Sequence, residues 1–446
     1  MRRTAFQWLV ISSLVATIVT AAQARTRPRY GGTLRVETSG PLWDVNGTAR
    51  ALTTETLTHL DELGAVQPWL AVKWESQNRN KRWLLTIRPG VKFHDGTALT
   101  AASVAEILNG CAGCPWRTVQ TAGEAVVFEF DAPEPLFPAE LATTRFGIAK
   151  PGANGAPIGT GPLKVDHATA NSAALVAFDN YWNGRGYVGS VEVTSGRTHR
   201  DQSLDLGVGR TDVAELPAEQ IKRAQQNHLR VIVSRNDELI VLVMNKASAS
   251  IQKTDVRRAI EESIDRASLL NFIFQRQGEV TGSLLPNWIT GYGPLFSTAQ
   301  DLERAREYGN QAGRIATLTL TYDAADPSMQ LVGERIALSA RDAGITIRTV
   351  PAPAHWDLTL VRIRLRCYQP SVALEALVSE LGVEHKSPDD VTTDSLYQRE
   401  KELLDPGFLV PLLYVPHAFA ASDRVRDWKL DGGSPDYLDL WTEVRK

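Results

Sequence analysis

Between Trp74 and Leu108 the rhythm of apolar and polar residues changes several times. Arg82–Ile87 alternates, with Trp83, Leu85 and Ile87 on one side and Leu84 and Thr86 on the other, which predicts a strand half-buried in a sheet. Pro89-Gly90 predicts a turn, because proline fixes φ and glycine accepts positive φ. Val91-Lys92-Phe93 then reads as a short second strand, and His94-Asp95-Gly96-Thr97 as a second turn with glycine where a hairpin turn needs it. Thr100 suits the N-cap of a helix over Ala101–Asn109, whose Val104, Ile107 and Leu108 form an apolar stripe.

The same reading extends along the chain. Leu52–Leu63 has helical spacing, and Glu124–Phe130 alternates until Pro133, Pro135 and Pro138 stop it. These segments outline a small subdomain over residues 51–154. Residues 204–213 predict a short strand and Pro217–Gln226 a helix. An apolar strand ends at Asn245. Asp255 is then expected to cap a helix with Ala259, Ile260, Ser263 and Ile264 on one face, and Asp265 one carrying Leu269, Leu270 and Ile273. Ala316–Tyr322, Ser328–Ala343 and Ile345–Val350 give strand, helix and strand, a βαβ unit with parallel strands. Leu409–Val415 returns as a strand, and a tail over Tyr437–Val444 offers Leu438, Leu440 and Trp441 for packing.

Arg2 and Arg3 precede the apolar run Leu9–Ala22, which ends in Ala22-Gln23-Ala24. A basic start, an apolar core and an Ala-x-Ala end predict a signal peptide over residues 1–24, cut after Ala24. The run is shorter than the roughly 20 residues a membrane span needs. No cysteine follows it, so a lipid anchor is not expected. The chain has 446 residues, a net charge of −3 and 22% charged residues. This suits a soluble globular protein of more than one domain and lacks the basic surplus of a nucleic-acid binder.

The three cysteines are Cys111, Cys114 and Cys367. Cys111-Ala112-Gly113-Cys114 could suggest zinc or redox chemistry, but a zinc site needs four ligands and none follow at suitable spacing. The pair also closes a helix where a redox motif opens one. In an oxidising compartment a local disulfide is the expected state, leaving Cys367 buried. Gly159-Thr160-Gly161-Pro162 lacks the lysine and hydroxyl ending of a phosphate loop, and Pro162 removes a donor; a structural turn is expected.

Trp74, Trp83, Arg88, Gly90–Gly96, Leu99, Thr100, Ala101 and Val104 resemble the signature of the family 5 extracellular solute-binding proteins, the dipeptide, oligopeptide and nickel receptors of bacterial ABC importers. Gly31-Gly32-Thr33-Leu34 is similar to that family's opening. Val256, Arg257, Ala259, Ile260, Ser263, Ile264, Asp265 and Arg266 match a second motif. The resemblance implies a two-lobed α/β periplasmic binding protein fold (type II, cluster C-like), with mixed sheets flanked by helices and an extra subdomain in the first lobe. It implies a first lobe of residues 25–243 plus 416–446 and a second lobe of 244–415. It also implies an exported, periplasmic monomer that closes about crossings near Asn245 and Val415 on a small-molecule or peptide ligand and delivers it to an inner-membrane permease. No cofactor or metal is implied.

Ligand contacts expected on this basis are Trp43, Asp44, Asn245, Trp288, Tyr292, Trp356 and Tyr414. Aromatic side chains give large contact area with few torsions; core packing is the alternative for each. Peptide-binding relatives follow a Trp-Asp strand with an acidic stretch that holds the ligand's amine. Here Trp356-Asp357 is followed by Arg366-Cys367-Tyr368-Gln369-Pro370, and the acid is missing. Arg362, Arg364 and Arg366 recur at period two, giving either a face paired with acids and solvent or contacts for an anionic solute. The eight histidines are scattered, and no nucleophile elbow, HExxH or Walker motif occurs. A periplasmic hydrolase, or a ligand-sensing or chaperone module on the same frame, is the alternative function.

Overall fold

The computed structural model describes residues 28–443 except 45–46, 62, 112, 153–154, 352, 384–391, 432–433 and 437–438. The signal-peptide expectation and the packing of Leu438 lie outside the described residues.

Arg82–Ile87 alternates half-buried and buried positions as its sequence requires. It pairs antiparallel with Ala71–Gln77 and with Ala125–Glu129, and Thr118–Ala122 completes a four-stranded sheet. Gly90 and Gly96 take φ of 81° and 85°, where a side chain would be strained. The strand expected at Val91–Phe93 is reduced to one bridge between Lys92 and Ala98. The chain doubles back too soon for more: the Phe93 amide donates to the Thr97 carbonyl, and Leu99 to Val91, both at 2.9 Å. Thr100 caps the helix Ala101–Asn109 by accepting from the Ser103 amide at 3.2 Å, while Ser103 Oγ accepts from the Thr100 amide. Leu85, Phe93, Val104, Phe128 and Phe137 fill the core beneath.

Three segments differ from their sequence pattern. The helix expected over Leu52–Leu63 is Thr48–Thr53, followed by the strand Thr58–Leu60. The hydroxyls of Thr53 and Thr54 turn back onto the carbonyls of Ala49 and Arg50, and the Gly161 amide takes the Thr53 carbonyl, ending the helix. The strand expected over residues 204–213 is not formed there: the helix His199–Gly207, capped by Thr198, takes the first four of them, a turn follows, and the strand is Val213–Leu216. The helix Thr254–Ser263 has Lys253 at its N-cap without a side-chain bond. Asp255 instead sits in the first turn, where a negative charge meets the positive end of the helix dipole. Asp265 does cap the next turn, accepting from the Ser268 amide at 2.9 Å.

An eleven-stranded mixed sheet runs through the molecule. At its centre the long strands Arg230–Met244 and Leu409–Ala421 lie antiparallel, between Val213–Leu216 on one side and Leu358–Arg364 on the other. Beyond Val213–Leu216 come Thr33–Glu37, Ser190–Thr194, Ser172–Ala177 and Leu163–Ala168. Beyond Leu358–Arg364 come Leu318–Thr321 and Ile347–Thr349, parallel to each other and joined through the helix Pro327–Asp342. Midway along the long pair the ladder breaks. Arg230–Val233 face Ala418–Ala421, Glu238–Val243 face Leu409–Val415, and the register shifts at Val233, Asn236 and Glu238 between them.

The apolar packing is unequal on the two faces. On one, a single cluster crosses the break, joining Ala214, Leu216, Ala218 and Ile221 to Ile240, Leu242, Ile336 and Leu360. On the other there are two clusters. One gathers Leu34, Val36, Leu52, Val191 and Leu440; the other gathers Leu239, Val241, Leu374, Leu377 and Tyr414.

The small subdomain is tied to this frame through Glu55, which is buried. Its carboxylate accepts from Thr160 Oγ1 at 2.7 Å, Tyr181 OH at 2.8 Å, Trp69 Nε1 at 2.9 Å and Trp182 Nε1 at 3.1 Å. Burial raises its pKa, and these four donors oppose that rise. Replacing Glu55 with glutamine sets an amide donor against donors. Glu55→Gln is expected to lose about 2–4 kcal/mol of stability in urea denaturation followed by circular dichroism; a loss below about 0.5 kcal/mol would refute the hub.

Candidate functional site

The break in the central ladder leaves backbone groups that side chains must satisfy. Asp237 is fully buried there. Its Oδ1 accepts from Ser234 Oγ at 3.0 Å and faces His417 Nδ1 at 2.9 Å, and its Oδ2 accepts from Tyr368 OH at 3.1 Å. Its carbonyl takes the Leu365 amide at 2.7 Å. Arg364 approaches from the neighbouring strand, with Nη2 at 2.6 Å from His417 Nε2 and Nε at 3.9 Å from Asp237. A proton on Nδ1 facing the carboxylate leaves Nε2 as acceptor for the guanidinium, so this arrangement fits a neutral imidazole. Ser234 Oγ donates to the Asp237 carboxylate and the Arg235 carbonyl and accepts from the His417 amide at 3.0 Å.

Around this floor stand groups from both ends of the sheet. Trp288 is half-buried, donates to the Asn236 carbonyl at 3.3 Å, and packs edge-on against Tyr368 at 5.0 Å, with Arg235 over its ring at 5.1 Å. Trp43, in the loop after Thr33–Glu37, leans on the opposite cluster, and its Nε1 is buried without a partner among the described residues. Arg366 follows the strand Leu358–Arg364. It is exposed, with protein crowded about its side chain. That crowding, and next Arg364, lower its pKa, while Glu380, Asp44 and Glu238 oppose. Arg366 makes no hydrogen bond or close ion pair among the described residues.

The walls meet at one place. Leu136 and Ala139 of the subdomain pack on Cys367 and Val372, with Leu60 and Val66 alongside. Gly64, at φ 79°, lies so close to Tyr368 that a Cβ would sit 2.5 Å from its carbonyl oxygen. Cys367 is buried, which pushes its thiol up to about 12, too high for a reactive thiolate.

The expected contact residues are spread over several places. Trp288 and Arg364 stand at the irregular stretch of the ladder, Arg366 lies near enough to Asp44 to feel its charge, and Trp43 packs on the first-lobe cluster. Asn245 and Trp356 meet at the far end of the sheet, Asn245 Nδ2 donating to the Trp356 carbonyl at 2.9 Å. Tyr414 is fully buried, with its hydroxyl on the Leu284 carbonyl, and Tyr292 donates to Glu400 at 2.6 Å inside the same cluster. Arg362 turns from the other two arginines to the start of the helix Pro327–Asp342, 3.3 Å from Asp326 and 3.0 Å from Ser328 Oγ. Toward Asn245 the ladder shifts register once more, between Ile240 and Val241; two of its three shifts cluster upstream, between Val233 and Glu238. Cys111 and Cys114 are joined as a disulfide.

Sequence reasoning missed Ser234, Asp237, Tyr368 and His417. A signal was present: the polar run Ser234–Glu238 interrupts an otherwise apolar long strand, and Pro416-His417 interrupts its partner. Among the described residues no group of three or more histidine, cysteine or acidic side chains gathers to hold a metal. No described helix is long and apolar enough to cross a membrane.

Comparison with known proteins agrees with this architecture. Residues 65–364 match the bacterial extracellular solute-binding proteins, family 5. The chain is 24% identical over 388 residues to the HTH-type transcriptional regulator SgrR of Pectobacterium atrosepticum, covering 79% of this chain and 65% of that one. It is 26% identical over 260 residues to the nickel-binding periplasmic protein of Escherichia coli, covering 50% and 48%. It thus spans about half to two thirds of the length of these curated relatives. The fold matches NikA from Staphylococcus aureus in complex with Ni(L-His)2, with a TM-score of 0.80 at 17% identity, over 92% of this chain and 100% of that one. It matches AppA from Bacillus subtilis in complex with a nonapeptide equally well, with a TM-score of 0.80 at 17% identity, over 94% and 100%. With its family motifs and a two-lobed α/β fold, the chain belongs to the bacterial extracellular solute-binding proteins of family 5.

Proposed function

We propose that this chain is the exported solute-capturing receptor of an ABC importer, a non-enzymatic carrier that closes two lobes on a small solute and delivers it to a membrane permease. The observation that carries this reading is the uneven core: continuous across the irregular stretch of the ladder on one face, split into two separate clusters on the other. A broken ladder is where two bodies can rotate, and a split core is where they can part. On this reading the lobes divide at Ser234–Glu238 and Val415–His417, upstream of Asn245 on the first crossing. Relatives named for nickel and structures holding a nickel–histidine complex or a nonapeptide support solute capture. The relation to a transcriptional regulator keeps a ligand-sensing role as the second reading.

Of the three arginines Arg362, Arg364 and Arg366, the one no described side chain engages is Arg366, because Asp326 and Ser328 engage Arg362 and the Asp237–His417 pair engages Arg364. A solute carrying a carboxylate or other anionic group is the class it would hold. A thermal-shift screen over peptides, metal–amino-acid complexes, sugars and organic acids should find a ligand whose stabilisation grows with its concentration and which is recovered unchanged. Chemical conversion of that compound would overturn the carrier reading. Arg366→Gln should weaken an anionic ligand roughly tenfold or more in titration calorimetry while leaving the melting temperature of the free protein unchanged; unaltered affinity would remove Arg366 from the site.

Closure brings Gly64 against Tyr368, so Gly64→Ala should hold the lobes apart. An increased radius of gyration in solution scattering, with ligand affinity reduced roughly tenfold, is expected; an unchanged radius would refute the contact.

Glu140 sits beside this contact, close enough to raise the Cys367 thiol. Burial, and next the charge of Glu134, push its carboxyl up to about 7, with Arg145 opposing. A carboxyl raised on folding adds stability that is complete below its unfolded value near 4.5 and is lost as pH rises through about 7. Relative to Glu140→Gln, the wild-type melting temperature should therefore fall by roughly 2 °C or more between pH 5 and pH 8. Parallel curves for the two proteins would refute it.

A further inference from the structure

Opposite the crevice, three buried polar atoms from the two ends of the sheet have no hydrogen-bond partner among the described residues: Glu219 Oε2, Arg362 Nε and His199 Nδ1. Glu219 lies in the turn Ala218–Gln220 and His199 begins the helix His199–Gly207, both on the first-lobe side. Arg362 lies on Leu358–Arg364, on the second-lobe side. Their neighbours Ala218 and Leu360 both belong to the cluster that crosses the broken ladder, which puts the three on the face away from the crevice. They also sense one another: Arg362, and less strongly His199, lower the Glu219 pKa against the rise that burial causes, while Asp326 adds to the rise. Yet Glu219 and Arg362 are not in contact; the guanidinium spends its Nη atoms on Asp326 and Ser328 and lies 5.8 Å from the centre of the Phe274 ring.

A buried polar atom without a partner costs about 1–3 kcal/mol, and a native fold keeps such atoms only with a reason. Here the reason lies in the lever. On the crevice side Gly64 lies against Tyr368, which on the hinge reading is the closed form. Rotation about the broken ladder that opens that side must bring the opposite sides of the lobes together. We propose that Glu219 and Arg362 form an ion pair across the back of the hinge when the crevice opens, so that the open form is held by a latch the closed form must release. This rests on the two-lobe hinge reading and goes beyond it by naming the interaction that opposes closure. The receptor then stays open without solute, and solute contacts must outweigh the latch before the lobes shut.

The experiment needs no ligand. Spin labels on Lys73→Cys and Glu402→Cys, both exposed and on opposite lobes, report the separation by electron–electron distance measurement in the full chain. In the wild-type background a major longer and a minor shorter separation are expected. Glu219→Gln should raise the ratio of short to long roughly tenfold. Arg362→Gln should do the same, and the double variant should shift no further than either alone, which separates a shared latch from two unrelated losses. Circular dichroism melts identify any variant that fails to fold, and Glu219→Asp, which keeps the charge, then supplies the comparison by retaining most of the long population. Two populations in an unchanged ratio in Glu219→Gln would overturn the latch and leave the hinge standing. A single separation in the wild type would overturn the hinge reading itself, and the latch with it.

Discussion

Two long strands pair through the centre of this protein, and their pairing is interrupted midway. A continuous antiparallel ladder from Arg230 to Met244 would be one stiff ribbon, and any crevice beside it would have a fixed width. The register shifts between Val233 and Glu238 interrupt it. Interruption exposes backbone groups in a place no water easily reaches, and their cost is met by side chains. Asp237 supplies most of the remedy. One buried carboxylate gathers Ser234, Tyr368 and His417, and its own carbonyl receives Leu365. The polar groups of the irregular stretch are thereby satisfied by side chains where the regular ladder cannot satisfy them.

The same device recurs elsewhere. Glu55 and Glu400 are buried carboxylates, both raised by burial, and both held mainly by neutral donors. Glu55 joins the subdomain to the sheet through hydroxyl and indole groups. Glu400 receives the Leu284 and Leu285 amides and the Tyr292 hydroxyl. Neutral donors satisfy a carboxylate without requiring a buried cation, which would carry its own desolvation cost. In each case loops far apart in sequence converge on a single acid. Arg257 is the converse: its guanidinium donates to the carbonyls of Pro406, Ile251 and Gln252 and clamps a turn to a helix.

Local elements were legible where one face meets the core. The alternation of Trp83, Leu85 and Ile87, the cap at Thr100 and the turns at Gly90 and Gly96 all follow from nearest-neighbour physics. The failures arise where a distant partner decides. Leu52–Leu63 has helical spacing, but the helix stops because Gly161 claims the Thr53 carbonyl from far along the chain. Residues 204–213 hold enough apolar side chains for a strand, yet the cap at Thr198 starts a helix that runs to Gly207, and the strand begins only at Val213. The family motifs placed the fold correctly, while much of the crevice lies outside them. Its floor is built from residues whose meaning depends on a ladder defect, and period-two reasoning assumes there is none.

The three arginines of the strand after Trp356 show the limit of such reasoning most clearly. Spacing alone assigns Arg362, Arg364 and Arg366 to one face and one task. In the folded chain Arg362 looks away from the crevice, Arg364 enters the defect, and Arg366 lies past the strand's end where the pattern no longer applies. Each outcome follows from what faces the residue: an acid at a helix start, a buried Asp–His pair, or open solvent between charged walls. Charge on a solute-binding protein is therefore informative only after its internal partners have been subtracted. Of these three side chains, what remains after that subtraction is the Arg366 guanidinium beyond the strand's end and the buried Nε of Arg362 on the strand itself.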